Sequence, residues 1–492
     1  MHASPPPPPN IVLFVVDDMG WQDTSVPFHT SVTPWNRRYR TPNMERLARE
    51  GVLFTNAYAA SPVCTPTRVS LMTGMNPART RVTNWTLRLD RDSSGAHATL
   101  LPPRWNLGGL CATAGPDRTW QAPTLPAILR RQGYRTIHVG KAHFGAIGTP
   151  GADPRNLGFD VNIAGHAAGG PGSYLGEQNY SGSSRGAENV WDVPGLEKYH
   201  GTNTFLTEAL TNEAVREVER AVADGKPFFL NMAHYAVHVP FAPDERFYQR
   251  YRDEGLDHTE AMYAALVEGM DHSLGRLMDV VDSLGVAGRT AVIFVSDNGG
   301  LAAHGRTGEP HTHNAPLRSG KGSAYEGGIR VPMIVRWPGV TPCGLRCTAP
   351  VISDDIFPTV LHMAGGADAA RYRRGVDGSD LTPLLRSRTQ KAARTFLWHY
   401  PHAWGVAGPG IEPFSAIRAG DWKLIYFYAD RRYELYNLKD DISESRNLAE
   451  RQSGRAKRLA RALRERLQAI GAQTPVEKAT GLAAPLPNVT GD

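Results

Sequence analysis

Cysteine is scarce in this chain: four residues, Cys64, Cys111, Cys343 and Cys347, among 492. So few exclude a disulfide-built scaffold. Cys343 and Cys347 are close enough to pair in an oxidising compartment, and two unrelated thiols are the equal alternative. A lone C-x3-C offers too few ligands for zinc. Long apolar runs are missing too. Ile11–Val16 is far too short to span a bilayer, so no membrane association is expected. The opening M-H-A-S-P-P-P-P-P-N has neither a charged nor an apolar leader region, so no signal peptide is expected. As written the chain reads as cytoplasmic, or as periplasmic or secreted if a leader was removed. No basic-aromatic stripe is present, which argues against a nucleic-acid partner. No internal repeat is present either. The net charge of +6 is mild and fits an anionic substrate without requiring one.

What the chain does have is length, glycine and proline. Its 492 residues suggest one large domain plus a smaller one. Short apolar runs at Ile11–Val16, Thr136–Val139, Phe228–Met232, Ala291–Val295 and Met333–Val335 read as buried strands. Between them, Asn43–Glu50, Leu125–Gln132, Thr204–Val222 and Thr259–Leu284 have helical periodicity. This alternation predicts an α/β fold with a large, mostly parallel sheet between helices. Beyond about residue 385 the pattern changes to short antiparallel strands, at Ser415–Arg418, Trp422–Tyr428 and Tyr433–Leu435. A basic amphipathic helix follows near Gly454–Ile470. We therefore divide the chain into a catalytic domain, 1–384, and a C-terminal α+β domain with an antiparallel sheet, 385–492. The tail after Thr474 is expected to wrap the surface or fray. Two long Gly-rich stretches, Asn84–Trp120 and Gly165–Tyr199, break the rhythm and are of the kind that carries function.

Ligands of open α/β sheets bind beyond the carboxyl ends of the strands. Asp17 and Asp18 directly follow the first strand, and Asp297 and Asn298 follow the strand ending at Ser296. Three carboxylates and an amide offer hard oxygens suited to Ca²⁺, or to Mg²⁺, rather than zinc. An Asp-Asp pair after a strand is as often a turn or helix cap. In C-T-P-T-R-V-S-L-M-T-G, Cys64 to Gly74, Pro66 suits a first helical turn. Residue 64 then sits at a helix N-terminus, where orphan amides favour negative charge. Arg68 lies one turn on, near the same face.

The C-x-P-x-R string extended by T-G resembles the signature of the type I, formylglycine-dependent sulfatases of the alkaline-phosphatase-like superfamily. The resemblance implies that Cys64 is oxidised to formylglycine by a separate maturation enzyme. It implies that the aldehyde hydrates, that one hydroxyl attacks sulfur, and that the other then expels sulfate. Thr67 stands where serine is usual. Gly140-Lys141-Ala142-His143 is similar to that family's G-K-x-H, so Lys141 would bind sulfate and His143 would orient and deprotonate the remaining hydroxyl. His234 to Pro240 resembles its x-P-H-x-P segment, with Val237 in place of proline. His238 would then bind sulfate and protonate the leaving alcohol, and His234 would be structural. In L-R-S-G-K-G-S-A-Y-E-G-G, Leu317 to Gly328, Lys321 would be the second sulfate clamp and a candidate acid. The metal set implied is Asp17, Asp18, Asp297, Asn298 and residue 64. Three cationic side chains, three carboxylates and a divalent ion leave the site at about +2, a field prepared for an anion.

Trp398-His399-Tyr400-Pro401-His402 and Trp404 resemble bacterial carbohydrate sulfatases, which makes His399, His402 and Trp404 candidates for binding a sulfated sugar. Core packing at a domain junction is the equal alternative. His304, His311, His313, Arg318 and His166 are further candidates, with Arg104 behind them. A phosphonate or phosphate monoester hydrolase on the same scaffold is the nearest rival. A non-catalytic binder of sulfated glycans, with Cys64 left as a thiol, is a more distant one.

Overall fold

The computed structural model describes residues 8–302, 314–365, 371–372, 375–386 and 394–488. Its centre is an eight-stranded sheet. In spatial order the strands are Leu345–Cys347, Val52–Phe54, Met333–Arg336, Thr290–Ser296, Asn10–Val16, Phe228–Ala233, Arg135–Gly140 and Val161–Ile163. Only Met333–Arg336 runs against the rest. The five apolar runs read from sequence are all strands of this sheet.

Strand geometry sends alternate side chains to opposite faces. Along Asn10–Val16, Val12, Phe14 and Val16 enter one core, with the helices Pro42–Glu50, Leu206–Ala223 and His258–Ser283. Ile11, Leu13 and Val15 enter the other, with Cys64–Thr73, Leu125–Arg131 and Ile356–Ala364. A strand buried on both faces reads as one continuous apolar run, which is why it was visible in sequence.

The second unit is a four-stranded antiparallel sheet of Thr395–Tyr400, Phe414–Ala419, Trp422–Phe427 and Tyr433–Asn437. The edge strand Thr395–Tyr400 was not anticipated as a strand. One face of this sheet carries Leu397, Ile417 and Leu424 against Leu459, Leu463 and Leu467 of the helix Ser453–Ala469. The opposite face carries Phe396, Trp398, Tyr400 and Phe414 against Tyr58, Val63, Tyr325 and Ile329. This small sheet therefore packs directly behind the segments that hold Cys64 and Lys321.

A buried ionic cluster fastens the same junction. Lys423 reaches Glu326 Oε1 (3.0 Å) and Glu444 Oε1 (2.9 Å), with all three side chains buried. Tyr58 donates to Glu326 Oε2 (2.6 Å), and the Glu326 N–H donates to Glu444 (2.6 Å). The tail turns back, and Val476–Glu477 pairs antiparallel with Leu100–Leu101. Cys343 and Cys347 are unpaired thiols, one exposed and one buried. No helix among the described residues is long and apolar enough to cross a membrane.

Candidate active site

The site lies at the carboxyl ends of the parallel strands, where the chain leaves Val16, Ser296 and Gly140. Asp17 and Asp297 follow adjacent strands in register, since Val16 pairs with Ser296. Asp18 holds a left-handed backbone (φ 60°), as does His143 (φ 54°). Non-glycine residues rarely adopt this conformation and are held there by surrounding structure, often at functional sites. Gly140 turns the chain immediately before Lys141, at φ 99°. A Cβ there would lie 1.9 Å from the Ala233 carbonyl oxygen, so only glycine fits.

Cys64 opens the helix Cys64–Thr73, all of whose residues are buried. The preceding Val63 provides no side-chain cap, so the helix N-terminus keeps free amides at residue 64. Gly74 closes the helix in the left-handed region, its N–H donating to Ser70 O (2.7 Å). Burial raises the Cys64 thiol above its usual range, against the pull of Lys141 and Lys321.

Around Cys64 the charges pair one to one. Lys141 Nζ donates to Asp17 Oδ2 (2.6 Å), Lys321 Nζ lies 2.7 Å from Asp18 Oδ1, and Arg68 Nε donates to Asp297 Oδ2 (2.8 Å). Arg68 also donates to the Lys141 carbonyl (2.7 Å), and Asn298 Nδ2 to Asp18 Oδ1 (2.7 Å). Every one of these side chains is buried. Burial alone would raise the Asp18 carboxyl; Lys321, His238 and Lys141 together outweigh it and hold the group low. Buried charge of this density is a costly way to build a core, which favours a functional reason for it.

The donor set fits a hard divalent cation. One atom each of Asp17, Asp297 and Cys64 lie within 4.8 Å of one another. Among the described residues, Asp17 Oδ1 and Asn298 Oδ1 are buried oxygens without a hydrogen-bond partner. Unsatisfied buried oxygens beside three carboxylates suit an oxygen-coordinated ion such as calcium or magnesium.

Two histidines line the cavity. His143 Nε2 pairs with the Thr86 carbonyl (2.7 Å), so Nε2 carries the proton, and the buried Nδ1, without a partner among the described residues, is the free base. Burial, then Lys141 and Arg68, holds this imidazole well below its usual range. A Cβ on Gly169 would meet His143 Cε1 at 2.4 Å, so the ring packs on bare backbone there. His238 Nδ1 pairs with Val239 O (2.6 Å), leaving Nε2 facing Asp18 Oδ2 at 3.7 Å. Burial and then Lys321 draw it down to about 3. Tyr174 braces this segment by donating to the carbonyls of Tyr235 and His238.

The cavity above these groups measures about 370 Å³, and Trp85, Trp191 and Trp404 are among its walls. Sequence reasoning named Trp404 and missed the other two. Both missed tryptophans lie in the long Gly-rich stretches already singled out; Trp191 is the one tryptophan of its stretch, whereas Trp85 shares its stretch with Trp105 and Trp120. The remaining sugar candidates are placed elsewhere. His399 projects from Thr395–Tyr400 toward the C-terminal helix and is bonded to Ser415 Oγ (2.7 Å) and Gln473 O (2.9 Å). Strand alternation turns it away from the cavity that its neighbours Trp398 and Tyr400 back. Arg318 stacks on Tyr325 and donates to Glu444 O (3.0 Å), and it does not line the cavity. His166 packs edge-on against Tyr235, and its backbone carbonyl accepts from His143 N. Arg104 is paired with Asp117 at the surface. His234 is buried on Ser273 Oγ (2.9 Å). His304, His311 and His313 lie outside the described residues.

His402 is a fastener for the cavity wall. Its Nε2 meets Thr83 Oγ1 and its Nδ1 meets Ser94 Oγ, both at 2.8 Å. Ser94 Oγ also donates to Asp92 Oδ1 (2.7 Å), so it must accept from a protonated Nδ1. The loop carrying Trp85 is thereby clipped at both ends to the segment carrying Trp404. His402→Ala is expected to cost about 1–3 kcal/mol in urea unfolding, from two lost buried hydrogen bonds. It is also expected to raise KM more than it lowers kcat, because the wall loosens and the reacting groups do not move.

An α/β sheet carrying a buried cysteine at a helix start, a carboxylate cluster and three fixed cations suits a hydrolase of tetrahedral oxyanion esters. The sequence profile described as sulfatase matches residues 9–367, and that of the N-sulphoglucosamine sulphohydrolase C-terminal region matches 320–473. A sulfatase of Formosa agariphila is 32% identical, over 94% of this chain and 88% of that one. The N-acetylgalactosamine-6-sulfatase of Sus scrofa is 31% identical over 83% and 75%. The steryl-sulfatase of Mus musculus is 31% identical over 86% and 72%. The crystal structure of Ps i-CgsB with k-i-k-neocarrahexaose superposes with a TM-score of 0.73 at 27% identity, covering 94% and 93%. The phosphonate monoester hydrolase of Agrobacterium radiobacter shares the fold, at a TM-score of 0.59 and 19% identity. The chain belongs to the sulfatase family and is a sulfuric ester hydrolase.

Proposed function

We propose that the chain hydrolyses sulfate monoesters of a carbohydrate, using a formylglycine made from Cys64 and one divalent cation, calcium in the first instance. The observation that carries this reading is the convergence on Cys64 of Asp17 and Asp297 with the cations Arg68, Lys141 and Lys321. When present, the hydrated formylglycine supplies the nucleophile and the cation neutralises negative charge beside it.

Asp17, Asp18, Asp297 and Asn298 would hold the cation through their oxygens. Arg68, one helical turn from residue 64, would steady an ionised hydroxyl there. Lys141 and Lys321, each held by a different aspartate, would take sulfate oxygens, and their fixed positions favour the charge that builds during transfer. His143 Nδ1 is the lone pair positioned to remove the remaining hydroxyl proton. Lys321 and His238 border the leaving-group side and are the candidates to protonate the departing alcohol. Trp85, Trp191 and Trp404 present flat apolar faces suited to a sugar ring, with His402 holding the first and third together.

Cys64 is only 4% exposed and the helix behind it is wholly buried. A maturation enzyme would therefore have to reach residue 64 before the chain folds. Mass spectrometry of the tryptic peptide Glu50–Arg68 tests the reading. An aldehyde in place of the thiol is expected in protein from a host with the maturation system. An intact, alkylatable Cys64 in active protein would overturn it.

A further inference from the structure

A second cavity, of about 330 Å³, adjoins the first and shares Trp85 and Trp191 with it. Apart from Leu87, its other walls are polar and include Arg88, Arg91, Asp92, Ser94 and Glu188. The two tryptophans are thus walls common to the chamber at the sulfate site, the inner one here, and to the adjoining chamber, the outer one here. A monosaccharide sulfate is accommodated by the inner chamber alone. Two chambers that share walls suit a ligand with a second unit attached to the first.

The charges of the outer chamber are not equivalent. Arg88 is paired with Glu188, which spends both. Asp92 is occupied by Ser94, through its N–H (2.9 Å) and hydroxyl (2.7 Å), and by the Trp105 indole N–H (2.8 Å). Arg91 has no carboxylate partner among the described residues, although it is exposed in a loop otherwise knitted by ion pairs and hydrogen bonds. The loop itself is rigidly placed. Gly95 N donates to Ala403 O (2.7 Å), a Cβ on Gly95 would meet Gly405 N at 2.3 Å, and His402 binds Ser94. A free guanidinium held on a fixed loop, one tryptophan pair away from the reacting centre, is a recognition group for an anion.

We infer that the outer chamber is a second substrate subsite, which takes the neighbouring unit of an oligosaccharide and engages a negatively charged substituent on it through Arg91. This rests on the sulfatase reading above and adds to it the class of substrate: an anionic oligosaccharide rather than an isolated sugar or a neutral alcohol. The substituent can be a carboxylate or a further sulfate, since a guanidinium pairs with either.

The test uses full-length protein with formylglycine confirmed at residue 64. Hydrolysis of 4-nitrophenyl sulfate is the reporter. Inorganic sulfate, a sulfated hexose, a chondroitin-sulfate tetrasaccharide (carboxylate neighbours) and a carrageenan hexasaccharide (sulfate neighbours) are competitors. At least one oligosaccharide is expected to inhibit about tenfold more strongly than the sulfated hexose, as one charge-assisted contact of about 1.5–3 kcal/mol would give. Arg91→Ala should collapse that ratio toward one, and Arg91→Lys should restore part of it. Whichever oligosaccharide shows the ratio identifies the substituent. Equal inhibition by hexose and both oligosaccharides, or a ratio unmoved in Arg91→Ala, overturns the subsite. Failure to hydrolyse any sulfate ester, the aryl sulfate and sulfated hexose included, instead overturns the parent reading.

Discussion

Cys64→Ala is expected to lower kcat/KM on a sulfate monoester by roughly a thousandfold or more, the scale on which loss of a covalent nucleophile is felt. The site explains why nothing nearby can substitute. Thr65 and Thr67 are buried and committed, with Thr65 Oγ1 accepting from Thr86 N (3.2 Å) and Thr67 Oγ1 donating to Ser61 O (3.3 Å). The substitution removes one small buried side chain from a helix start, so the fold should survive. Four of the five cation ligands proposed here would also survive, because they follow two sheet strands rather than the helix. A calcium-dependent rise in melting temperature should therefore persist in Cys64→Ala, though weakened, and vanish in Asp17→Ala. Differential scanning fluorimetry with and without a chelator reads this directly. Retained turnover in Cys64→Ala, with the substitution verified by mass, would contradict the nucleophile assignment.

The second large effect lies more than a hundred residues beyond the last catalytic candidate. Lys423→Met should destabilise the protein by about 3–5 kcal/mol, because it leaves two buried carboxylates facing each other without their shared cation. Glu444 is already pushed up to about 7 by burial, with Glu326 adding to the push and Lys423 opposing it. Without Lys423 it should be largely protonated at neutral pH. Adding Glu444→Gln to Lys423→Met should recover part of the loss, since the amide is neutral without the cost of protonating a buried carboxylate. Urea unfolding of the three proteins measures this, and a loss under about 1 kcal/mol would show that the cluster relaxes around the gap. Activity should fall along with stability. Glu326 ends the segment that presents Lys321, and the same cluster ties that segment to the small sheet.

The cost of pairing so many buried ions falls at two places, the reacting centre and this junction behind it. At the centre, Lys141, Lys321 and Arg68 each face one carboxylate, so the carboxylates fix the positions of the cations that a sulfate would meet. At the junction, Lys423 faces two carboxylates from different parts of the chain, and the result is registry between the sheets. This accounts for the way a C-terminal sheet carrying no nucleophile and no proposed metal ligand still shapes the cavity, through Trp404 and through His402.

What the sequence determined by itself was whatever depends on neighbours in the chain. The five buried strands were legible as unbroken apolar runs because both faces of the sheet are covered. The place of Cys64 at a helix start was legible because Pro66, Arg68 and Gly74 fall in the first turn, one turn on, and at the left-handed end. The carboxylates at 17, 18 and 297 were legible because a strand's end is where such a sheet binds ligands. Only the tertiary structure decided what depends on which way a side chain points across long separations. His399 and His402 sit three residues apart in one string. The first lies on a strand and is turned to the C-terminal helix, while the second lies just past it and clips a loop more than three hundred residues earlier in the chain. Trp85 and Trp191 come from two irregular stretches with no period from which a direction could be read, and they meet at one cavity only because the sheet brings the two loops to the same edge. Local propensity fixes elements; orientation across a junction is set by packing, and packing is a property of the assembled chain.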